Sequence, residues 1–182
     1  DTTQLAAMLN HYLSLLTIIG GAGAGMFVLY LSYYVYTKKS NVFLTRIGQW
    51  IFPLGFFVAL GGTCMTLFYS QYLGYVPCDL CWYQRVFLYP QIFLFGYAWY
   101  KHDKAVLPYA LILSSIGFCI ALYHHMLQIG FDLMKPCSSA PFAADCAKPS
   151  FIEYGFVTFP FMAVVLFLFL GTLIVTALRF RK

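Results

Sequence analysis

Val76-Pro77-Cys78-Asp79-Leu80-Cys81-Trp82-Tyr83-Gln84-Arg85 carries the chain from a short polar loop into an apolar run. The two cysteines, three positions apart, fall where the loop becomes a helix. A helix N-terminus carries a partial positive charge and unpaired N–H groups, both of which favour a thiolate. The thiolate is the reactive form of cysteine. Arg85, four residues after Cys81, shares its helix face and adds positive charge. The stretch reads as a redox-active dithiol at the mouth of an apolar helix. An inert loop staple and a zinc site are the competing readings. Zinc favours four ligands, commonly supplied by two compact pairs, and the other cysteines with polar surroundings, Cys137 and Cys146, have eight residues between them.

Outward from this stretch the chain is strongly apolar. Of its 182 residues 62% are hydrophobic and 9% charged, against about 25% charged in soluble domains. Charge this sparse between long apolar runs points to an integral membrane protein. The net charge of +5 sits in loops and tails between apolar runs, where basic residues report topology rather than nucleic-acid binding. The chain opens at Asp1 rather than methionine, which reads as a processed or truncated start. No charged n-region marks a cleavable signal peptide.

Five spans are expected, each long enough to cross about 30 Å of hydrocarbon at about 1.5 Å per residue. They run over 12–36, 47–69, 80–100, 105–127 and 155–178. Gly20-Gly21-Ala22-Gly23-Ala24-Gly25 in the first lacks the preceding strand that a phosphate loop requires. Gly21 and Gly25, four apart, instead suit close approach of another helix. Pro90 is expected to kink the third span, and Pro108 falls in the first turn of the fourth, where proline is tolerated. Lys101-His102-Asp103-Lys104 reads as a tight charged turn.

Basic residues fix the expected orientation. The segments 38–46, 101–104 and 179–182 hold three, two and three Lys or Arg, whereas Arg85, Lys135 and Lys148 stand on the opposite side. The richer side is expected in the cytoplasm. Five spans then leave the N-terminus outside and the C-terminus inside. Both Cys78/Cys81 and Cys137/Cys146 face the exterior, where disulfides persist.

Cys137 and Cys146 bracket a run of small residues and a proline, so an exposed, adaptable loop is expected there. An exposed disulfide in such a loop is readily attacked, yet loops of this size are also commonly clipped for stability, and both readings stand. His124 and His125 lie near the outer end of the fourth span. Ionisable groups at membrane depth are usually functional, and one of the two is expected to be so. Arg85 is the stronger candidate, as the one charge inside its span. Cys64 and Cys119 read as small apolar core residues, and the many aromatics as lipid-facing or interfacial.

Residues 78–90, Cys-Asp-Leu-Cys-Trp-Tyr-Gln-Arg-Val-Phe-Leu-Tyr-Pro, resemble the signature of the DsbB/BdbC disulfide bond formation proteins. His124-His125-Met126-Leu127-Gln128 is similar to the family's His-x-x-Leu-Gln segment, and residues 151–161 resemble the approach to its last helix, most like the shorter BdbC branch. The resemblance covers about residues 45–178. It implies an all-α integral membrane protein: a four-helix transmembrane bundle core over 45–182, with extracytoplasmic loops 70–81 and 128–154, plus one extra N-terminal transmembrane helix and basic loop over 1–44.

The resemblance further implies a membrane thiol:quinone oxidoreductase. A DsbA-like soluble thioredoxin-fold partner would be reoxidised by Cys137–Cys146, electrons would pass to Cys78–Cys81, and a quinone, ubiquinone or menaquinone, would take them up beside Arg85 and His124. The DsbA–DsbB–quinone chain is the established route by which the bacterial periplasm is kept oxidising, and DsbA itself is a strong oxidant at about −120 mV. Recharging it requires a high-potential sink, which a membrane quinone provides. The expected setting is the bacterial cytoplasmic membrane, with lipid, quinone and a DsbA-like protein as partners and no nucleic acid. The alternatives are a relay running in the reductase direction, as in the related vitamin K epoxide reductases, and a non-catalytic membrane redox or metal sensor.

Overall fold

The structure is a computed structural model and describes residues 2–37, 42–131 and 145–180. Lys38, Lys39, Lys135, Cys137, Arg181 and Lys182, all used in the sequence reading, lie outside the described residues. Among the described residues five α-helices make up the fold: α1 (Thr2–Thr37), α2 (Val42–Leu67), α3 (Asp79–Lys101), α4 (Leu107–Gln128) and α5 (Phe159–Phe180). Among the described residues the only β-type pairing is an isolated bridge between Glu153 and Val157. The protein is an all-α, multi-pass membrane protein. Its first helix begins ten residues earlier than the apolar run suggests.

Segments over Thr3–Thr37, Trp50–Tyr72, Leu107–Gln128 and Phe159–Arg179 are long and apolar enough to cross a membrane. α3 is absent from that set because it carries Gln84, Arg85 and Gln91. All three are buried in the bundle, while Val86, Phe93 and Tyr97 are exposed. Its 23 residues still reach about 34 Å at helical rise. It is long enough to span and turns its polar side inward, and it continues as one helix through Pro90.

α2, α3, α4 and α5 close a ring, each packed on its neighbours, and α1 lies outside the ring mainly against α5. Ile51, Phe52, Leu88, Phe95, Leu107, Phe167, Leu170 and Ile174 fill the centre. Lipid is as apolar as this core, so association rests on close packing and buried polar ties rather than on a hydrophobic drive. Two glycines set the approach. A Cβ on Gly55 would lie 2.5 Å from the Phe95 ring, and one on Gly117 would lie 2.5 Å from the Phe167 ring. A Cβ on Gly21 would lie 3.2 Å from the Val165 side chain, as a helix-packing role requires, whereas one on Gly25 would meet nothing within 4 Å. Among the polar ties that join α3 to α4, Ser114 Oγ donates to Gln91 Oε1 at 3.0 Å, both residues being buried.

Cys64 and Cys119 are exposed rather than in the core. A helix in lipid is apolar all round, so an apolar neighbourhood in sequence does not say which way a small side chain faces.

Candidate functional site

The site assembles at one end of the ring. α2 finishes in a π-helical turn over Phe68–Tyr72, with Leu73 N–H donating to Phe68 O across five residues. Such wide turns occur frequently at functional sites. Gly74, at φ +73°, then reverses the chain. Tyr69 and Tyr75 pack edge-on against Phe159 at the start of α5, with Phe151 on the same ring. This aromatic cluster fixes the loop that delivers Cys78.

Cys78 caps α3: its backbone is extended, and its carbonyl accepts the N–H of Trp82 at 3.1 Å. Cys81 follows in the first turn. The two Sγ atoms lie 3.0 Å apart, within thiol hydrogen-bond distance, and both residues are free thiols. Cys78 stands before the span begins and is only 4% exposed. Its thiol is pulled down to about 4, chiefly by the hydrogen bond from Cys81 and then by His124, against the opposing effect of burial. This arrangement favours the thiolate form of Cys78.

His124 and His125 are separated by the structure. His124 is fully buried, and its Nε2 lies 3.6 Å from Cys78 Sγ. His125 turns the other way. Its Nδ1 meets Thr158 Oγ1 at 3.1 Å, and Thr158 in turn accepts the N–H of Phe161 at the start of α5. His125 thus ties α4 to α5 away from the cysteines.

Each ring nitrogen of His124 faces a glutamine amide. Nδ1 lies 3.0 Å from Gln84 Nε2, and Nε2 lies 3.2 Å from Gln128 Nε2. A neutral imidazole has a single acceptor nitrogen. Only one of the two amides can therefore donate at a time, and the ring proton's position is tied to how these amides are turned. Neither glutamine receives a role in the sequence reading, although both stand in the quoted motifs. The available signal is spacing: Gln128 is one turn after His124 on α4, and Gln84 is three residues after Cys81 on α3.

Arg85 is 8% exposed. Its Nη2 donates to Thr66 O at 3.1 Å, a carbonyl that also accepts Ser70 Oγ at the π-helical turn, and its guanidinium lies 5.0 Å from the centre of the Trp82 ring. It is held on the Cys81 side of α3, between the helix and the end of α2.

Cys146 is disulfide-bonded and wholly buried, not exposed as its loop composition suggests. It belongs to one small cluster with Cys78, Leu80 and Leu127, against which Cys81 and Tyr123 also pack. Its carbonyl accepts from Gln128 Nε2 at 3.4 Å. Burial follows from this packing under the end of α4, which a list of small loop residues does not reveal. Cys137 lies outside the described residues.

The model of the disulfide bond formation protein DsbB matches residues 48–177, the four-helix ring and its loops. The chain belongs to the DsbB family. It is 39% identical over 123 residues to the SPbeta prophage-derived disulfide bond formation protein B of Bacillus subtilis, covering 68% of this chain and 82% of that protein. It is 35% identical over 143 residues to a probable disulfide formation protein of Oceanobacillus iheyensis, covering 79% and 93%. Disulfide bond formation protein C of Bacillus subtilis is 35% identical over 113 residues, covering 61% and 80%. These relatives agree with the BdbC-like branch. No solved structure matches the chain. Membership makes the protein a membrane thiol–disulfide oxidoreductase, and the α1 helix lies outside the matched DsbB residues.

Proposed function

We propose that this DsbB-family protein reoxidises a DsbA-like thioredoxin-fold partner on the outer face of the cytoplasmic membrane and passes the electrons to a quinone. The observation that carries the reading is the burial of Cys146 in one cluster with Cys78. Two dithiol/disulfide pairs exchange only when a thiolate can reach a disulfide sulfur, and a shared buried cluster holding one cysteine of each pair supports such an exchange.

The exchange balances as two transfers. A partner thiolate attacks the Cys137–Cys146 disulfide at Cys137, forms a mixed disulfide and releases Cys146 as thiolate. The partner's second thiol then resolves the mixed disulfide, leaving the partner oxidised and the Cys137/Cys146 pair reduced. That pair next reduces Cys78–Cys81: Cys146, in the same buried cluster as Cys78, attacks Cys78 and releases Cys81 as thiolate, and Cys137 then attacks Cys146 in the mixed disulfide, re-forming Cys137–Cys146 and releasing Cys78 as thiolate. The depressed Cys78 thiol suits it as the leaving sulfur, because a low-pKa thiol leaves faster. His124, against Cys78 Sγ, is suited to hold the proton that accompanies each change of thiol state.

The residues around Cys81 fit a hydrophobic electron acceptor. Arg85 is a buried cation beside the Trp82 ring, and Trp82, Tyr83 and Val86 are open on the outer surface of α3. Arg85 and His124 would hold a quinone's oxygens. When bound, a quinone supplies a sink for two electrons and two protons from the Cys78/Cys81 dithiol. The chain itself provides the dithiol, a fixed positive charge and an imidazole.

The orientation is supported by the ends that meet. Tyr69 donates to Asn10 Oδ1 at 2.7 Å, and Tyr154 OH lies 3.3 Å from His11 Nδ1. The first turns of α1 therefore share the cysteine end of the bundle, as an outside N-terminus with outward-facing cysteines requires. Residues 45–182 act in this reading as the catalytic core, with α1 appended.

The test is turnover by the full chain with a quinone and a reduced DsbA-like partner, followed by quinone absorbance. Quinone reduction is expected, and Cys78→Ser or Cys81→Ser abolishes it. Cys137→Ser is expected to block partner oxidation while small dithiols still feed Cys78–Cys81. No quinone reduction with a competent partner present overturns the proposal.

A further inference from the structure

Zinc prefers four ligands, and two cysteines in sequence do not make a zinc site. The fold adds a third ligand from a distant helix. Cys78 Sγ, Cys81 Sγ and a ring nitrogen of His124 all lie within 4.8 Å of one another. With Zn–S near 2.3 Å and Zn–N near 2.0–2.1 Å, tetrahedral ligands stand about 3.8 Å apart for S···S and about 3.5 Å for S···N. Cys78 Sγ to His124 Nε2 is already 3.6 Å. The two sulfurs, at 3.0 Å, need to part by about 0.8 Å to reach that spacing, which the half-buried Cys81 side chain at the first turn of α3 allows.

The surroundings also suit a metal. Thiolate and imidazole together select zinc and other thiophilic ions over magnesium or calcium. Ligating histidines are held through their second nitrogen, and Gln84 stands 3.0 Å from His124 Nδ1. With its amide turned to present Oε1, Gln84 accepts the Nδ1 proton and leaves Nε2 as the ligand. Three protein ligands leave the fourth position to water. The carboxylate chemistry that would favour a hard ion is missing from the trio.

We infer that Cys78, Cys81 and His124 form a binding site for Zn2+ or a similar thiophilic divalent ion, present only in the dithiol state of the protein. Ligation joins two thiolates and one imidazole to the ion. Any thiol still protonated gives its proton to solvent, and no electrons move. The disulfide state has no thiolate to offer and does not bind. A bound ion occupies both sulfurs that must re-form the disulfide, so it acts as a brake on reoxidation of this pair. Only the brake rests on the proposed relay; the binding site rests on the trio alone.

Cd2+ reports the site directly, because its thiolate bonds absorb in the near ultraviolet. Full-length protein is reduced with a phosphine, which does not compete as a thiol would, and titrated with Cd2+ in detergent. One Cd2+ per chain with a thiolate charge-transfer band is expected, and none in the oxidised protein. Cys78→Ser should abolish the band, and His124→Ala should weaken binding at least tenfold. Cys137→Ser/Cys146→Ser should retain it, which assigns the band to the first pair. The comparison of reduced with oxidised wild type needs no variant, so a misfolded mutant does not blunt the test. No band in the reduced wild type, equal binding by the oxidised form, or loss of the band only in Cys137→Ser/Cys146→Ser overturns the site. The titration uses neither quinone nor partner. Failed turnover with intact Cd2+ binding counts against the relay alone, and turnover without Cd2+ binding counts against the metal site alone.

Discussion

His124 Nε2 approaches Cys78 Sγ to 3.6 Å from a position with no solvent exposure. A buried imidazole against a buried sulfur makes the charge on that sulfur a property of the fold. In the unfolded chain Cys78 keeps its proton up to about 9.0, whereas in the folded dithiol form it loses it near 4, chiefly through Cys81 and then His124. Between those values the unfolded state binds one more proton, so stability rises with pH. The reduced protein is expected to gain thermal stability from pH 5 to pH 8, an increment that fades as pH falls toward 4. The oxidised protein, with no thiol at Cys78, should lack it. Parallel melts of the two forms check this, and equal pH slopes would refute it.

Gln84 is a positioning residue in this arrangement. It meets Nδ1 of His124 at 3.0 Å on the side away from Cys78. Gln84→Leu leaves that buried nitrogen without its partner, a loss of about 1–3 kcal/mol. The expected result is a fall in kcat of about tenfold or more, with KM for the thiol partner unchanged. A structural role alone would lower the melting temperature and leave the ratio of kcat to KM effects uniform. Rescue of kcat by Gln84→Asn or Gln84→Glu, but not by Leu, would support the assignment.

The spans were legible because long apolar runs between basic loops have few other interpretations. α3 was legible through Cys78–Arg85 rather than through its hydropathy, since its polar residues are buried against the other helices. What sequence could not give is facing. Cys64 and Cys119 look like core residues and are exposed, because lipid and core are equally apolar. Of two adjacent histidines, only the fold shows that His124 meets the thiols and His125 meets Thr158. The same holds for Cys146, whose burial depends on Leu127 and Leu80 from two different helices.

The Gln91–Ser114 tie tests how the core is held. Ser114→Ala strands a buried amide oxygen, and the expected cost is about 1–3 kcal/mol. Removing both polar groups in Gln91→Leu/Ser114→Ala should cost less than the two single changes together. Melting temperatures in one detergent measure all four proteins. Strict additivity would mean the 3.0 Å bond contributes nothing.

Gly117 sets the separation of α4 from α5. A Cβ there meets the ring of Phe167, itself 1% exposed and packed on every side, at 2.5 Å. Overpacking of this kind costs about 1–3 kcal/mol. Gly117→Ala should lower the melting temperature, and Phe167→Leu in the same chain should recover part of the loss. A Gly117→Ala protein as stable as wild type would show that the ring turns aside freely.

Arg85 offers the sharpest test of where the electrons leave. It is a buried cation on the Cys81 side of α3, anchored at Thr66 O and flanked by Trp82. If it binds the quinone, Arg85→Ala should raise the apparent KM for quinone about tenfold or more, since hydrogen bonds from charged donors contribute about 1.5–3 kcal/mol. Arg85→Lys keeps the charge but loses the planar fork that serves an oxygen and Thr66 O together, so an intermediate KM is expected. Oxidation of the partner by Cys137–Cys146 should be unaffected in both variants, because Arg85 is anchored at Thr66 O beside Trp82. Steady-state quinone kinetics alongside single-turnover thiol exchange separate the two steps. A quinone KM unchanged in Arg85→Ala removes the residue from the acceptor site and leaves it a strut between α3 and the π-helical end of α2.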